Sequence, residues 1–213
     1  MSTGTETAGG APTARQQAVL DAVLELMLEA GDQLTMDAVA RRASCSKESL
    51  YKWFGDRDGL LAATVRWQAS RVRAGRYDSQ RLDAAALLES LKDFAATWLR
   101  TISSPTSIAL NRLAIAHAGS SKDDLGTHVL ANGRFAIGER LKPVLEEGRQ
   151  AGILAFDDAE TAFRTFFGLV ARDVQIRLLL GDRLDPAGID RDAARAAAQF
   201  LTLYGTKSQA PQT

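Results

Sequence analysis

The chain has 213 residues, with 26 Lys or Arg and 26 Asp or Glu, so its formal net charge is zero. Taken alone, this balance argues against a strongly basic nucleic-acid binder and against a protein held to membranes by charge. The single cysteine, Cys45, excludes an intramolecular disulfide framework and a zinc site built from several thiolates.

Composition also predicts the fold class and the compartment. The chain has 36 alanines but only 9 valines and 7 isoleucines, which favours helices over strands and predicts an all-α protein. No run approaches about 18 apolar residues, and the start lacks the basic head and apolar stretch of a secretory signal. We therefore expect a cytoplasmic protein without a membrane partner, with residues 1–12 and 206–213 as disordered tails.

Capping residues mark the first two predicted helices. Thr13 and Gln16 have the spacing of a capping box, and apolar residues follow at helical spacing until Gly31. Thr35 then caps a short second helix. Residues 44–46 break the helical pattern, which indicates a tight turn.

Two further helices complete the predicted N-terminal region. Ser46 caps a third short helix over residues 47–54. Gly55 and Asp56 provide a stop and a new cap. A fourth helix is predicted from about Arg57 to Ala74 and connects this region to the rest of the chain.

Longer periodic stretches follow a polar linker at 75–83. They predict five helices, at about 83–103, 106–118, 124–151, 158–180 and 188–204. Pro143 interrupts the third of them and should kink it. We divide the chain into a domain at 13–60 and a larger helical domain at 61–205.

Residues 35–54 have the pattern of a helix-turn-helix, in which two short helices are joined by a three-residue turn. An α-helix fits the major groove of DNA, and the second helix of this motif presents its first residues to base edges. Leu50 and Phe54 are spaced to face inward. The outward residues are then of base-contacting and phosphate-contacting types: Lys47, Glu48, Ser49, Tyr51 and Lys52.

Local charge supports this interpretation. Four basic side chains and one acidic side chain lie between Ala38 and Gly55, a net charge of +3. The opposing charge lies largely on the first helix, which need not touch DNA. Arg57 lies at the start of the fourth helix, where its charge and the helix N-terminus could together hold a phosphate.

The stretch from Leu34 to Leu60 closely resembles the N-terminal domain of the tetracycline-repressor (TetR) family. It keeps the order Thr, Val-Ala, a tight turn, Leu-Tyr-x-Trp-Phe, and a basic residue shortly before Leu. The resemblance covers about residues 14–62. Residues 111–116 and the helices after them resemble the AefR-like branch of the family.

The resemblance implies a homodimeric transcriptional regulator, usually a repressor, that binds a palindromic operator in double-stranded DNA. A small molecule bound in the C-terminal bundle would release the DNA. The implied DNA-binding residues are Thr35, Lys47, Glu48, Ser49, Tyr51, Lys52, Trp53 and Arg57. Of these, Lys47, Glu48 and Ser49 would face bases, Tyr51 could contact base or phosphate, and the others would hold the backbone.

Three positions depart from the family pattern. Ser44 stands where glycine is frequent, and a left-handed backbone there would cost about 1–2 kcal/mol. Cys45 stands where valine is usual and is either a packing residue or a redox switch. Glu48 replaces a small residue and could either accept a hydrogen bond from the amino group of cytosine or act against nonspecific binding through its negative charge. Trp53 could equally be a core aromatic.

The remaining candidates lie in the C-terminal domain. Ligand-binding candidates are Trp98, Asn111, Arg112 and His117, although aromatic residues at helical spacing also form ordinary cores. A dimer interface is expected from Ala162, Phe166, Leu169, Val170, Ala194, Ala197, Ala198 and Leu201. No cofactor is expected, and the two histidines lack the spacing of a metal-ligand pair on one helix.

Two other classes of function stay open from the sequence. A helical enzyme would need a nucleophile and base pair or a metal cluster, and neither is visible, so no catalytic residue is assigned. An interaction module with a degenerate head would keep the helices without binding DNA.

Overall fold

The computed structural model describes residues 11–30, 34–72, 82–116, 118 and 125–206. These residues form helices and no named strand; an isolated bridge pairs Leu154 with Gly205. The expected all-α class is confirmed. None of the described helices is long and apolar enough to cross a membrane. The predicted tails, apart from residues 11, 12 and 206, lie outside the described residues.

Eleven α-helices, one π-helical segment and one 3₁₀ turn make up the described chain. Their bounds are α1 Ala14–Ala30, α2 Met36–Arg42, α3 Lys47–Phe54, α4 Arg57–Ala69, α5 Ala84–Ile102, α6 Pro105–Ala116, α7 Leu125–Val129, the π segment Leu130–Phe135, α8 Ala136–Gln150, α9 Ala159–Ala171, α10 Val174–Leu179, the 3₁₀ turn Pro186–Gly188 and α11 Ile189–Tyr204.

The predicted caps are present. The Thr35 side chain accepts a hydrogen bond from the backbone N–H of Ala38 at 3.2 Å, and Ser46 accepts one from Ser49 at 3.1 Å. Asp56 accepts one from Gly59 at 2.8 Å. Each cap satisfies a backbone donor that the first helical turn leaves free, which explains why these short helices begin where they do.

Some predicted helix bounds are wrong. The fourth helix ends at Ala69, not near Ala74. The stretch 124–151 is helical from Leu125 to Gln150 as predicted, with the π segment inside it, whereas the stretch 158–180 is divided into α9 and α10. Arg172 produces this division, because its φ of 41° lies in the left-handed region that ends a helix. Pro143 lies inside α8, which runs on through it.

Two hydrophobic cores organise the helices. The first core joins α1, α2, α3 and α4 to α6 and α7, with members such as Val23, Leu50, Val65 and Leu110. The second core lies among α5, α8, α9 and α11, and its fully buried residues include Phe94, Leu141, Phe163, Phe166 and Phe200. The N-terminal helices therefore share a core with helices of the C-terminal region.

The last turn of α4 and the residues just after it are held from two sides. Trp67 Nε1 and Arg71 Nη2 both donate to Asp21 Oδ1 of α1 at 2.8 Å. From the side of the C-terminal domain, Arg140 of α8 donates to the backbone carbonyls of Ala69 and Val72. Helix α4 is thus a mechanical connection between the N-terminal helices and α8.

The first turn of α4 requires a glycine at position 59, where it passes close to the end of α3. A Cβ atom there would lie 2.0 Å from the backbone carbonyl oxygen of Phe54, which cannot move away as a flexible side chain could. We expect Gly59→Ala to lower the free energy of unfolding by about 2 kcal/mol, the cost of overpacking, measured by urea denaturation.

Gly148→Ala is the matched control. Its new Cβ would lie 3.0 Å from the ends of the Leu87 and Leu154 side chains, which can shift. The loss should therefore be smaller than at position 59. Equal unfolding midpoints for Gly59→Ala and the unmodified chain would contradict this account of the turn.

Candidate DNA-binding interface

Hydrogen bonds fix the backbone of the turn before α3. Ser44 has a φ of 50°, so the expected left-handed position is present without a glycine. The backbone N–H of Cys45 donates to the carbonyl of Ala40 at 3.0 Å, and Arg15 Nη2 of α1 donates to the Ser44 carbonyl at 2.6 Å. Cys45 is half-buried and packs against the first core. These contacts set the angle between α2 and α3.

Helix α3 has one buried side and one exposed side. Leu50 is fully buried, and Phe54 packs against the first core. On the opposite side, Lys47, Glu48 and Lys52 are exposed, and Tyr51 is 51% exposed. The expectation that Tyr51 faces outward is confirmed. An amphipathic helix anchored through Leu50 and Phe54 presents these polar side chains as a contiguous row.

Two of the four basic residues near this face are already paired. Arg42 forms ion pairs with Glu25 and Glu29 of α1, and its hydrogen bonds lower the pKa of the Glu29 carboxyl. Lys47 Nζ lies 2.7 Å from Asp37 Oδ1 of α2, and this hydrogen bond raises the pKa of Lys47. The local charge of +3 therefore overstates the positive charge available to a ligand.

The unpaired cations of this region are Arg41 and Lys52. Both side chains are exposed, and neither has a carboxylate partner among the described residues. Arg41 was not among the DNA-binding residues expected from the sequence. Arg41 could have been found from its position in the last turn of α2. The neighbouring Arg42 is less available, because Glu25 and Glu29 of α1 neutralise its charge.

The other expected contact residues surround α3. Thr35 is exposed, and its hydroxyl caps α2. The hydroxyl groups of Ser49 and Ser46 lie 3.1 Å apart. Trp53 is half-buried against the first core, edge-on to Phe54, so it combines a packing role with partial exposure.

Arg57 connects the start of α4 to the segment before α2. Its Nε donates to the Leu34 carbonyl at 3.3 Å, and its guanidinium lies 3.8 Å from the Asp58 carboxylate. The side chain is half-buried, so it both braces the fold and keeps part of its positive charge at the surface. Its contact with a DNA phosphate stays a prediction.

The ligand-binding candidates have separate environments. Trp98 is buried, and its ring lies 4.3 Å from that of Phe167, centroid to centroid. Asn111 donates to the Ser107 carbonyl of its own helix at 2.8 Å. Arg112 donates to the carbonyls of Leu178 and Leu179, which ties α6 to α10. His117 lies outside the described residues.

Half of the expected dimer interface is wrong. Ala162, Phe166 and Ala197 are fully buried inside a single protomer, and Val170 is 4% exposed. Their side chains form the second core of one chain and cannot reach a partner. Leu169, Ala194 and Leu201 are half-buried, and Ala198 is exposed, so these four stay candidates.

An arginine that the sequence analysis did not single out lies over the aromatic residues of the second core. Arg134 belongs to the π segment, and its Cζ is 4.9 Å from the ring centroid of Phe167. Within the described ranges, no group of three or more His, Cys, Asp or Glu side chains is placed to hold a metal ion.

Comparison with known proteins identifies the two regions. Residues 19–64 match the family model described as bacterial regulatory proteins of the tetR family. Residues 89–206 match the model of the AefR-like transcriptional repressor C-terminal domain. The second match alone spans more than half of the chain.

Similar structures and relatives agree with these matches. A TetR transcriptional regulator from Agrobacterium tumefaciens is 46% identical, with a TM-score of 0.79 over 92% of this chain and 97% of that one. The flavonoid-responsive regulator FrrA is 28% identical, with a TM-score of 0.67 over 91% and 98%.

The HTH-type transcriptional regulator BetI of Burkholderia mallei is 32% identical over 46% of this chain and 60% of the relative. The match thus spans less than two thirds of that relative's length. The family matches cover the helix-turn-helix and nearly all of the C-terminal helices. The chain therefore belongs to the TetR family of transcriptional regulators and carries an AefR-like C-terminal domain.

Proposed function

We propose that the protein is a ligand-responsive transcriptional repressor of the cytoplasm that binds operator DNA through α3 as a homodimer. The observation that carries this proposal is the exposed polar side of α3, held outward by the buried Leu50. A capped, rigid helix with such a face suits the major groove. TetR-family membership supports the same function.

The side chains of α3 divide into base-reading and backbone-holding groups. Glu48 lies in the first turn and can accept from the amino group of cytosine, while Tyr51 can contact base or phosphate. Lys52 and Arg41 have no carboxylate partner in the part of the chain that the structure describes, and they suit phosphates. Since few cations are free, sequence-independent binding should be weak, and more of the affinity should come from contacts to base edges.

A symmetric dimer would present two α3 helices to one face of the duplex. Their separation should be about 34–36 Å, one turn of DNA, or near a multiple of it. This symmetry predicts a palindromic operator. The candidate interface consists of the half-buried and exposed residues of α9 and α11, namely Leu169, Ala194, Ala198 and Leu201.

Release of DNA would follow from movement of α4. Arg140 holds its C-terminal end, and the Asp21 contacts hold it to α1, so a shift of α8 displaces the head. A coupling free energy of about 1–3 kcal/mol would change operator affinity 5- to 150-fold. FrrA, a similar regulator, is flavonoid-responsive, which supports a small-molecule effector here.

Substitutions on α3 test the DNA-binding role. We expect Tyr51→Ala to weaken operator binding about tenfold or more, and Lys52→Ala to weaken binding to all sequences and reduce the salt slope by about 1. Operator fragments would first be selected from genomic DNA, and binding measured by fluorescence anisotropy at several salt concentrations. Lys92→Ala on α5 is the control. If both α3 variants bind like the unmodified chain, α3 is not the recognition helix.

The ion pair between Lys47 and Asp37 gives a second prediction. Asp37→Asn removes the carboxylate and frees the Lys47 ammonium, so operator binding should tighten and the salt slope should steepen by about 0.9. Glu89→Gln on α5 changes the net charge equally and should leave both quantities unchanged. Weaker operator binding by Asp37→Asn, in a variant with unchanged thermal unfolding, would contradict a DNA contact by the freed Lys47 ammonium.

A substitution on α11 tests the proposed dimer. Ala198→Glu places a charge on the exposed side of this helix, and we expect it to convert a dimer to a monomer because an unpaired buried charge is costly at an interface. Sedimentation velocity at micromolar concentration measures the change. Ala85→Glu, on the exposed first turn of α5, should stay dimeric. A monomeric unmodified chain would reject the interface.

A further inference from the structure

The break between α9 and α10 runs against the local sequence. Phe166, Val170, Val174 and Leu178 recur four residues apart straight through the break, as on one uninterrupted helix. On such a helix the four side chains would lie along one face. No glycine or proline lies between Val170 and Leu178. The local sequence therefore favours a single helix where the structure has two.

The broken helix carries two local costs. Arg172 has a φ of 41° and a ψ of −125°, a combination that residues with a Cβ atom rarely adopt unless the surrounding structure enforces it. Helix α10 also begins without a side-chain cap, because Asp173 makes no capping hydrogen bond among the described residues. Its first N–H groups have no acceptor within the helix. A continuous helix would remove both costs.

Contacts with α6 hold α10 in its broken position. Arg112 of α6 donates from Nε to the carbonyl of Leu179 at 3.0 Å, and from Nη2 to that of Leu178 at 3.2 Å. A guanidinium at the last carbonyls of a helix is also favoured by the helix dipole. The Leu178 side chain is buried, and α10 packs against α6. A tertiary contact thus opposes the local preference of the chain.

Helix α6 connects this contact to the DNA-binding head. Leu110, Leu113 and Ala114 of α6 are buried in the first core, which also holds α1. Helix α6 packs directly against α1, while Arg112 reaches α10. Straightening α9 and α10 into one helix would change the direction of α10 and break the Arg112 hydrogen bonds. The support that α10 gives to α6 would then be lost.

We propose that the break between α9 and α10 is a conformational switch. The broken helix is the operator-binding state, and a continuous helix over residues 159–179 is the releasing state. This inference rests on the proposed function, because it states how operator binding is regulated. Straightening relieves the backbone at Arg172 and gives up the Arg112 contacts, so the two packings form a bistable element. A molecule that binds one state more tightly shifts the population toward it.

The two states differ in the hydrogen exchange of the first turn of α10. In the broken state, the N–H groups of Val174, Gln175 and Ile176 precede the first helical acceptors. In a continuous helix they donate to the carbonyls four residues earlier, so their exchange is slower. If only the broken state binds operator, the apparent Kd rises by the same factor by which this exchange slows.

The first variant removes the contact with α6. Arg112→Ala deletes both hydrogen bonds to α10, so the population should move toward the continuous helix. Without DNA, exchange of the three N–H groups should slow at least about fivefold, and operator binding should weaken by the same factor. Hydrogen-exchange mass spectrometry and fluorescence anisotropy measure the two quantities. Arg164→Ala, which removes an exposed arginine of α9, is the matched control and should change neither.

The second variant removes the strain. Glycine adopts the backbone angles of position 172 freely and disfavours a helix interior, so Arg172→Gly favours the broken state on both counts. It should raise the thermal unfolding midpoint by about 2–4 °C, whereas glycine inside an ordinary helix lowers the midpoint. Arg172→Ala is the control, because it removes the arginine side chain but keeps the Cβ atom. It should not raise the midpoint.

The double variant tests whether the two positions act on one equilibrium. With Arg172→Gly added to Arg112→Ala, the continuous helix no longer competes. Exchange and operator affinity should therefore both return to within about twofold of the unmodified chain. A lost contact that affects operator binding by another route would not be corrected by a glycine at position 172.

The outcomes separate the switch from the proposed function. The switch is rejected if a folded Arg112→Ala keeps fast exchange, if exchange slows without loss of operator affinity, or if Arg172→Gly does not restore binding. A lower unfolding midpoint for Arg172→Gly alone also rejects it, and this result decides even if Arg112→Ala does not fold. Exchange is measured without DNA and tests the switch alone, whereas operator binding by the unmodified chain tests the repressor role alone.

Discussion

The shared packing of α4 is the constraint on which the rest of the structure depends. Leu60 and Val65 of this helix are buried in the core that also holds α1, α2 and α3, and Leu110 of α6 and Leu125 of α7 close that core from the other side. A helix-turn-helix of this size buries little apolar surface by itself. Its stability therefore depends on the C-terminal helices, and a change in them reaches α1 and α4 by direct contact and α3 through α4.

Ion pairs within the N-terminal helices determine which cations stay available for DNA. The first helix contributes carboxylates that hold Arg42, and α2 contributes Asp37, which holds Lys47. These surface pairs add little stability, because solvent screens them. Their larger effect is on binding, since they leave a small set of free cations around an exposed tyrosine and glutamate. A chain with zero net charge can thus present a selective DNA-binding surface.

In the C-terminal domain, helical spacing predicted which helix faces are apolar but not what covers them. Helical spacing correctly indicated apolar faces on α9 and α11, but Phe166 and Ala197 face the core of their own protomer. Periodicity identifies a buried face without telling which neighbour buries it. The break at Arg172 was also invisible, because no glycine or proline marks it and the left-handed φ depends on the surrounding packing.

The sequence by itself determined the class of fold, the start of each short helix of the head and the outward row of α3. These follow from interactions between residues three or four positions apart, such as the caps at Thr35, Ser46 and Asp56. Only the tertiary structure decided which cations are free and that Arg134 lies over Phe163 and Phe167. Those partners are distant in the chain, and only packing of the helices brings them together.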